Sequence, residues 1–258
     1  MNYSVIGIVQ ARMSSRRFPG KVLAPIQSRA MLSLQLERLS YCKNIDHILV
    51  ATSDDGSDDK IEILCKEEGN DFFRGSLNNV LDRFFKAAQK YKPKTIVRFT
   101  ADCPLIDPLL TDEIVEYFLK SDLDYISNFE PPTYPDGLDV EVFRFESLKL
   151  SATEAKLPSE LEHVTPFIKR RPKRFRIKNY VSDIDYSHLR WTVDDPVDLE
   201  FVREIYKHLY SENKKFGMED ILELLEKFPE LIKINKHLKR NEGSKNSRNV
   251  DIESLKEQ

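Results

Sequence analysis

Apolar positions along the first half of the chain alternate between two rhythms. Short runs rich in β-branched and aromatic residues, at 3–9, 47–51, 72–73, 95–100 and 124–127, read as buried strands. Between them, residues 30–42, 58–68, 79–91 and 108–120 carry apolar side chains at helical spacing, as Met31, Leu34, Leu36 and Leu39 do. Gly69 suits a helix C-cap and Pro108 a first helical turn. Strand alternating with helix predicts an α/β fold, a three-layer, mostly parallel, doubly wound sheet of Rossmann-like type. Right-handed crossovers gather the strand-to-helix loops along one edge, where ligands bind in such folds.

The rhythm breaks at 129–137, where Pro131, Pro132, Pro135 and Gly137 exclude a helix. Residues 138–143 alternate apolar and acidic, as a half-exposed strand with Asp139 and Glu141 on its polar face. Helices are expected around 144–156 and 159–168, and strands at 175–180 and 189–193. A helix begins at Pro196 with Asp195 as its N-cap, and 218–238 reads as two helices broken at Pro229. Hydrophobicity collapses from Lys239 onward, which predicts one domain over 1–238 and a mobile tail over 239–258. Removal of such a tail is expected to leave the melting temperature nearly unchanged.

Composition narrows the partners. A chain of 258 residues with 40% hydrophobic and 32% charged residues can build a large core under a polar surface. Its net charge of −3 gives no global attraction to nucleic acid or an anionic membrane. The basic run at 169–174 lacks interleaved aromatics and reads as a solvated face. Cys42, Cys65 and Cys103 have no metal-ligand spacing, and no apolar run approaches the roughly 18 residues of a membrane span. A cytoplasmic protein with reduced thiols is expected.

The candidate chemistry lies where strands end. After the first strand, Arg12, Arg16, Arg17 and Lys21 stand among Ser14, Ser15, Pro19 and Gly20. Backbone N–H groups and fixed positive charge together suit a polyphosphate. This is not a Walker A loop, because Gly20-Lys21 is followed by Val22. Lys21 is expected to be an exposed loop lysine. Asp102 and Asp194 each follow an expected strand, so a parallel sheet sets both carboxylates on the edge of the basic loop. Two such hard oxygen donors facing a polyphosphate suit Mg²⁺. Read singly, each is also a turn or capping aspartate near a proline.

The spacing of Ala11, Arg12, Ser15, Arg17, Phe18, Pro19, Gly20 and Lys21 resembles the signature of the sugar cytidylyltransferases. Ala101-Asp102-Cys103-Pro104-Leu105 is similar to their middle motif, with Ala101 where the family usually has Gly. The stretch from Val193 to Glu200 is similar to their late motif. Arg74-Gly75-Ser76, the run from Tyr134 to Glu141, and Glu162-His163-Val164-Thr165 resemble the spore-coat polysaccharide branch. The resemblance implies a nucleotidyltransferase fold of the glycosyltransferase-A type and transfer of a nucleotidyl group from CTP to an acidic sugar. It implies Asp102 and Asp194 as Mg²⁺ ligands, and Arg12, Arg17 and Lys21 as the triphosphate clamp. Ala11, Ser15, Gly20, Ser76, Asn79 and Ala101 would lie near the nucleotide, and Asp136, Asp139, Glu141 and His163 would face the sugar. A homodimer is implied too, with 129–137 as a contact. Two other readings stay open: a glycosyltransferase consuming a nucleotide-sugar, and a nucleotide-binding module without catalysis.

Overall fold

Both faces of the first strand are apolar, and the fold covers both. In the computed structural model, which describes residues 3–238 together with Arg240 and Asp251, the chain opens with β1 (Val5–Gln10). Val5 and Val9 pack into one core and Ile6 and Ile8 into another, all buried. A small hairpin of β2 (Pro25–Ile26) and β3 (Arg29–Ala30) leads into α1 (Met31–Leu39). Then follow β4 (His47–Ser53), α2 (Asp59–Glu68), β5 (Asp71–Gly75), α3 (Val80–Tyr91), β6 (Thr95–Thr100) and α4 (Pro108–Leu119). The second half holds β7 (Tyr125–Ser127), β8 (Glu141–Arg144), α5 (Phe145–Glu154), α6 (Pro158–His163), α7 (Pro166–Lys169), β9 (Ile177–Asn179), α8 (Pro196–Leu209) and α9 (Met218–Lys227).

The main sheet has seven strands in the order β5-β4-β1-β6-β8-β7-β9. β1 runs parallel to β4 and β6, β4 parallel to β5, and β7 parallel to β9; β8 is antiparallel to both its neighbours. Leu34, Ile61, Ile114, Val202 and Ile221 bring α1, α2, α4, α8 and α9 to one face. Phe84, Leu148 and Phe167 bring α3, α5 and α7 to the other. The expected three-layer, doubly wound sheet is what forms. No helix among the described residues is long and apolar enough to cross a membrane.

Several local expectations are corrected. Residues 189–193 are extended but join no ladder. Their N–H and C=O groups go to loops instead: Trp191 N–H to Asp136 at 2.6 Å and Val193 N–H to Asp102 at 2.8 Å. The strand expected at 138–143 forms only from Glu141, because the Asn128 side chain takes the backbone of Leu138 and Val140. Glu141 is buried rather than half-exposed, since its carboxylate meets Arg98, Tyr125 and Thr165. The helix expected at 159–168 splits into α6 and α7 at Val164, whose φ of 71° leaves the helical region just before Pro166. Past Pro229 only a short 3-10 turn, Leu231–Lys233, replaces a second helix. The basic run 169–174 lies at the surface as expected, and there Arg170, Arg171 and Arg174 pair with Asp251, Glu160 and Glu154. The tail expected at 239–258 lies outside the described residues apart from Arg240 and Asp251, and both of these are bonded to the body.

Candidate active site

The loop after β1 is fastened before it is charged. Asp58, with no exposed surface, accepts the Met13 N–H at 2.7 Å and the Ser53 N–H at 3.0 Å, tying the loop to the end of β4. Gly20 closes the loop by donating to the Met13 carbonyl at 2.8 Å, with φ of 76°, where a side chain would be strained. A 3-10 turn then begins at Lys21 and carries that side chain inward. Lys21 is therefore not the exposed lysine expected: the residue is 7% exposed. Its ammonium donates to the Val193 carbonyl at 2.7 Å, Asp194 Oδ1 at 2.9 Å and Asp102 Oδ2 at 3.2 Å.

This cluster sets its own charge states. Burial works against the Lys21 charge, but Asp102 and Asp194 outweigh it and raise the ammonium above its ordinary pKa. Burial likewise opposes ionisation of Asp102, yet Lys21 and the Thr100 hydroxyl hold it down at about 2. Arg17 adds a second cation, 2.9 Å from Asp194 Oδ2 and 2.9 Å from Asp195 Oδ2.

The two aspartates meet because their backbones are stitched together. Ala101 extends β6 by donating to the Gln10 carbonyl, and the Asp102 carbonyl accepts from Val193 N–H at 2.8 Å and the Thr192 hydroxyl at 3.2 Å. Asp198, in the first turn of α8, accepts the N–H groups of Asp194 and Asp195 at 2.9 and 3.0 Å. Asp195 does start the helix as expected. Arg190 clasps Asp198 at 2.9 Å, reaches Asp136 at 3.1 Å and approaches Asp194 at 3.4 Å. That span needs Gly137, whose φ is 113°; a Cβ there would lie 2.6 Å from the Thr192 nitrogen. The sequence reading missed Asp58, Asp198 and Arg190. Asp198 follows Pro196 in the first helical turn, the one position from which a carboxylate can cap the preceding loop.

Of the other expected residues, Asp136 and Asp139 join the cluster through Arg190 and Arg240. Arg240 Nη2 lies 2.7 Å from Asp139 Oδ1. Burial raises Asp139 to about 7 despite Arg240, with Asp136, Asp102 and Glu141 adding to the rise. Glu141 is held below the ordinary range: burial opposes its charge, but Arg98 and Lys169 and hydrogen bonds from Thr165 and Tyr125 prevail. His163, at the end of α6, is lowered, first by burial and then by Arg98, Lys169 and Arg12 against the pull of Glu162. Ala11 and Ala101 are buried in the core. Ser15 accepts the Phe18 N–H, Ser76 accepts the Asn79 N–H and Asn79 caps α3, so these three shape loops on the same edge.

The donor set fits a divalent cation. An ammonium already sits between Asp102 and Asp194, standing where positive charge is wanted. Among the described residues no third His, Cys, Asp or Glu completes a metal cluster. An ion held by Asp102 and Asp194 would have two protein carboxylates and would complete its shell with other oxygen donors.

The cytidylyltransferase family matches residues 6–238. The chain is 32% identical to the spore coat polysaccharide biosynthesis protein SpsF of Bacillus subtilis, over 88% of this chain and 95% of that protein. A solved cytidylyltransferase from Leptospira borgpetersenii superposes with a TM-score of 0.85 at 33% identity, covering 89% of this chain and 96% of the other. The CMP:2-keto-3-deoxy-manno-octonic acid synthetase, solved with CTP, shares the fold at a TM-score of 0.62 and 18% identity, over 79% of this chain and 98% of its own. Matched to the family over residues 6–238, and 32% identical to SpsF across most of both chains, the chain belongs to the cytidylyltransferase family.

Proposed function

We propose that the protein transfers a cytidylyl group from CTP to a hydroxyl of an acidic sugar, releasing pyrophosphate, with Mg²⁺ as cofactor, for surface glycan synthesis. The observation that carries this is the convergence of Lys21 with Asp102 and Asp194 beside Arg17, at the carboxyl edge of a parallel sheet. The relatives support the substrate classes: the octonic acid synthetase is solved with CTP, and SpsF is a protein of polysaccharide biosynthesis.

In this reading the sugar oxygen bonds to the α-phosphorus, the bond from that phosphorus to the bridging oxygen breaks, and the hydroxyl proton leaves to solvent. Asp102 and Asp194 hold the metal, which when bound offsets phosphate charge and polarises the phosphoryl oxygens. Arg12, Arg17 and Lys21 bind the triphosphate, and Lys21 exchanges its carboxylate partners for phosphate oxygens as it does so. Those cations meet the charge that develops on the leaving pyrophosphate. Asp136, Asp139 and His163 face the acceptor, while Glu141, the fourth residue implied there, is buried against Arg98, Tyr125 and Thr165. A cytoplasmic location and a homodimer through residues 129–137 belong to the same reading.

The test is pyrophosphate release from CTP, with and without Mg²⁺, across acidic sugars that include 3-deoxy-manno-octulosonate and a sialic acid. Mg²⁺-dependent release with at least one of them is expected. Turnover confined to a nucleotide-sugar donor, or to no acceptor, overturns the reading.

A further inference from the structure

The matched family region ends at residue 238, and Arg240 lies just beyond it. Its side chain nevertheless turns back onto the acceptor side of the site. Nη2 donates to Asp139 Oδ1 at 2.7 Å, Nη1 donates to the Tyr134 carbonyl at 3.2 Å, and Nε lies 3.5 Å from Asp136 Oδ1. These three partners bracket the turn that Leu138 N–H closes onto the Pro135 carbonyl and that Gly137 alone can occupy. One guanidinium thus crosslinks both ends of the loop bearing Asp136 and Asp139.

The two carboxylates are left in different conditions. Asp136 is gripped from both sides, by Arg190 at Oδ2 and Arg240 at Oδ1. Asp139 is held through Oδ1 only, and its Oδ2 has no hydrogen-bond partner among the described residues on a side chain 27% exposed. A carboxylate oxygen fixed in direction but unspent is suited to accept a hydrogen bond from a sugar hydroxyl. Charge points the same way. Without Arg240, Asp139 keeps no ion-pair partner among the described residues and Asp136 has only Arg190, so a cation beside the acceptor loop, to which an anionic acceptor is drawn, is lost.

We infer that Arg240, contributed by the segment beyond the matched region, is a specificity-determining positioning residue for the acceptor. It aims Asp139 at a hydroxyl of the incoming sugar and sets a positive charge beside the loop that a sugar bearing a carboxylate must approach. The inference rests on the cytidylyl transfer to an acidic sugar proposed above.

The experiment uses the full chain with Mg²⁺ and CTP, and whichever of 3-deoxy-manno-octulosonate or a sialic acid the unaltered protein turns over. Arg240→Gln is expected to raise the acceptor KM by about ten- to a hundredfold, as loss of one charge-assisted contact does. KM for CTP should stay within about twofold, because the triphosphate clamp is elsewhere. Arg240→Lys, which keeps the charge but not the fork, should recover part of the acceptor affinity. Melting curves on both variants show whether the fold survives. Equal changes in both KM values, or loss of activity that tracks loss of folding without rescue by lysine, would make Arg240 structural and overturn the inference. An unchanged acceptor KM overturns it while leaving the transferase reading intact. Absence of turnover by the unaltered protein on every acidic sugar removes both.

Discussion

Lys21 shows how one residue can hold a site together before its ligand arrives. Two aspartates aimed at one point repel, and the buried ammonium between them relieves that repulsion. Lys21→Met is therefore expected to destabilise the protein, by about 1–3 kcal/mol once the partial exposure of both carboxylates is allowed for. The same variant should gain more melting temperature from added Mg²⁺ than the unaltered protein does, because the carboxylates then have no resident cation. A Mg²⁺ response no larger than that of the parent would remove the aspartate pair as the cation site. Asp102→Asn and Asp194→Asn should each abolish most Mg²⁺-dependent turnover, and the double variant should be little worse than either, since groups serving one ion act as a unit. Asp139 behaves oppositely to Asp102 towards pH. Its native pKa is raised from 3.8 to about 7, so the folded state binds the extra proton across that window. Stability from this group is greatest below pH ~4 and is lost as pH rises through ~7. Asp139→Asn should flatten the dependence of the urea midpoint between pH 5 and pH 8; an unchanged slope refutes the assignment.

At the level of elements, legibility followed from how much of each segment's environment its own rhythm encodes. β1, β4 and β6 were readable because continuous apolar runs are what a strand covered on both faces requires. Residues 189–193 were readable as extended but not as unpaired, since rhythm reports backbone shape and not the partner; here the partners are the loops of Asp102 and Asp136. Glu141 was misread because an acidic residue in an alternating run is ordinarily solvated, and only the fold brings Arg98, Tyr125 and Thr165 to it. Asp102, Asp194, Arg17 and Lys21 were found from motif spacing, whereas Asp58, Arg190 and Asp198 hold loops through contacts distant in sequence. Gly137 joins these levels: its backbone lets the acceptor loop lie against Trp191 and Thr192. Gly137→Ala should therefore shift that loop, costing about 1–3 kcal/mol of stability and much of the acceptor affinity, while CTP binding persists. Wild-type melting and acceptor KM in that variant would contradict the packing argument.

Across the whole molecule, the sheet brings chemistry from four separate loops to one edge, and Arg240, beyond the matched region, reaches back to it. The polar composition after Lys239 gives no reason from burial alone for that segment to dock. Two of its residues dock through ionic contacts instead. Arg240 ties to Asp136 and Asp139, and Asp251, 6% exposed, accepts from the Ser159 N–H at 2.9 Å and pairs with Arg170 at 3.0 Å. Hydrogen bonds to charged groups contribute about 1.5–3 kcal/mol each, and a kilocalorie moves the melting point of a domain this size by about 2–4 °C. Deletion of residues 239–258 should thus lower the melting temperature by several degrees, against the near-zero change expected from composition. Asp251→Asn should reproduce only part of that loss and leave the acceptor KM unaltered, because Ser159 and Arg170 lie outside the acceptor loop. Calorimetry on the deletion and the single variant separates the two anchors. If the deletion melts with the full chain, neither contact contributes to stability, and the docking of Arg240 would have to be judged on acceptor kinetics alone.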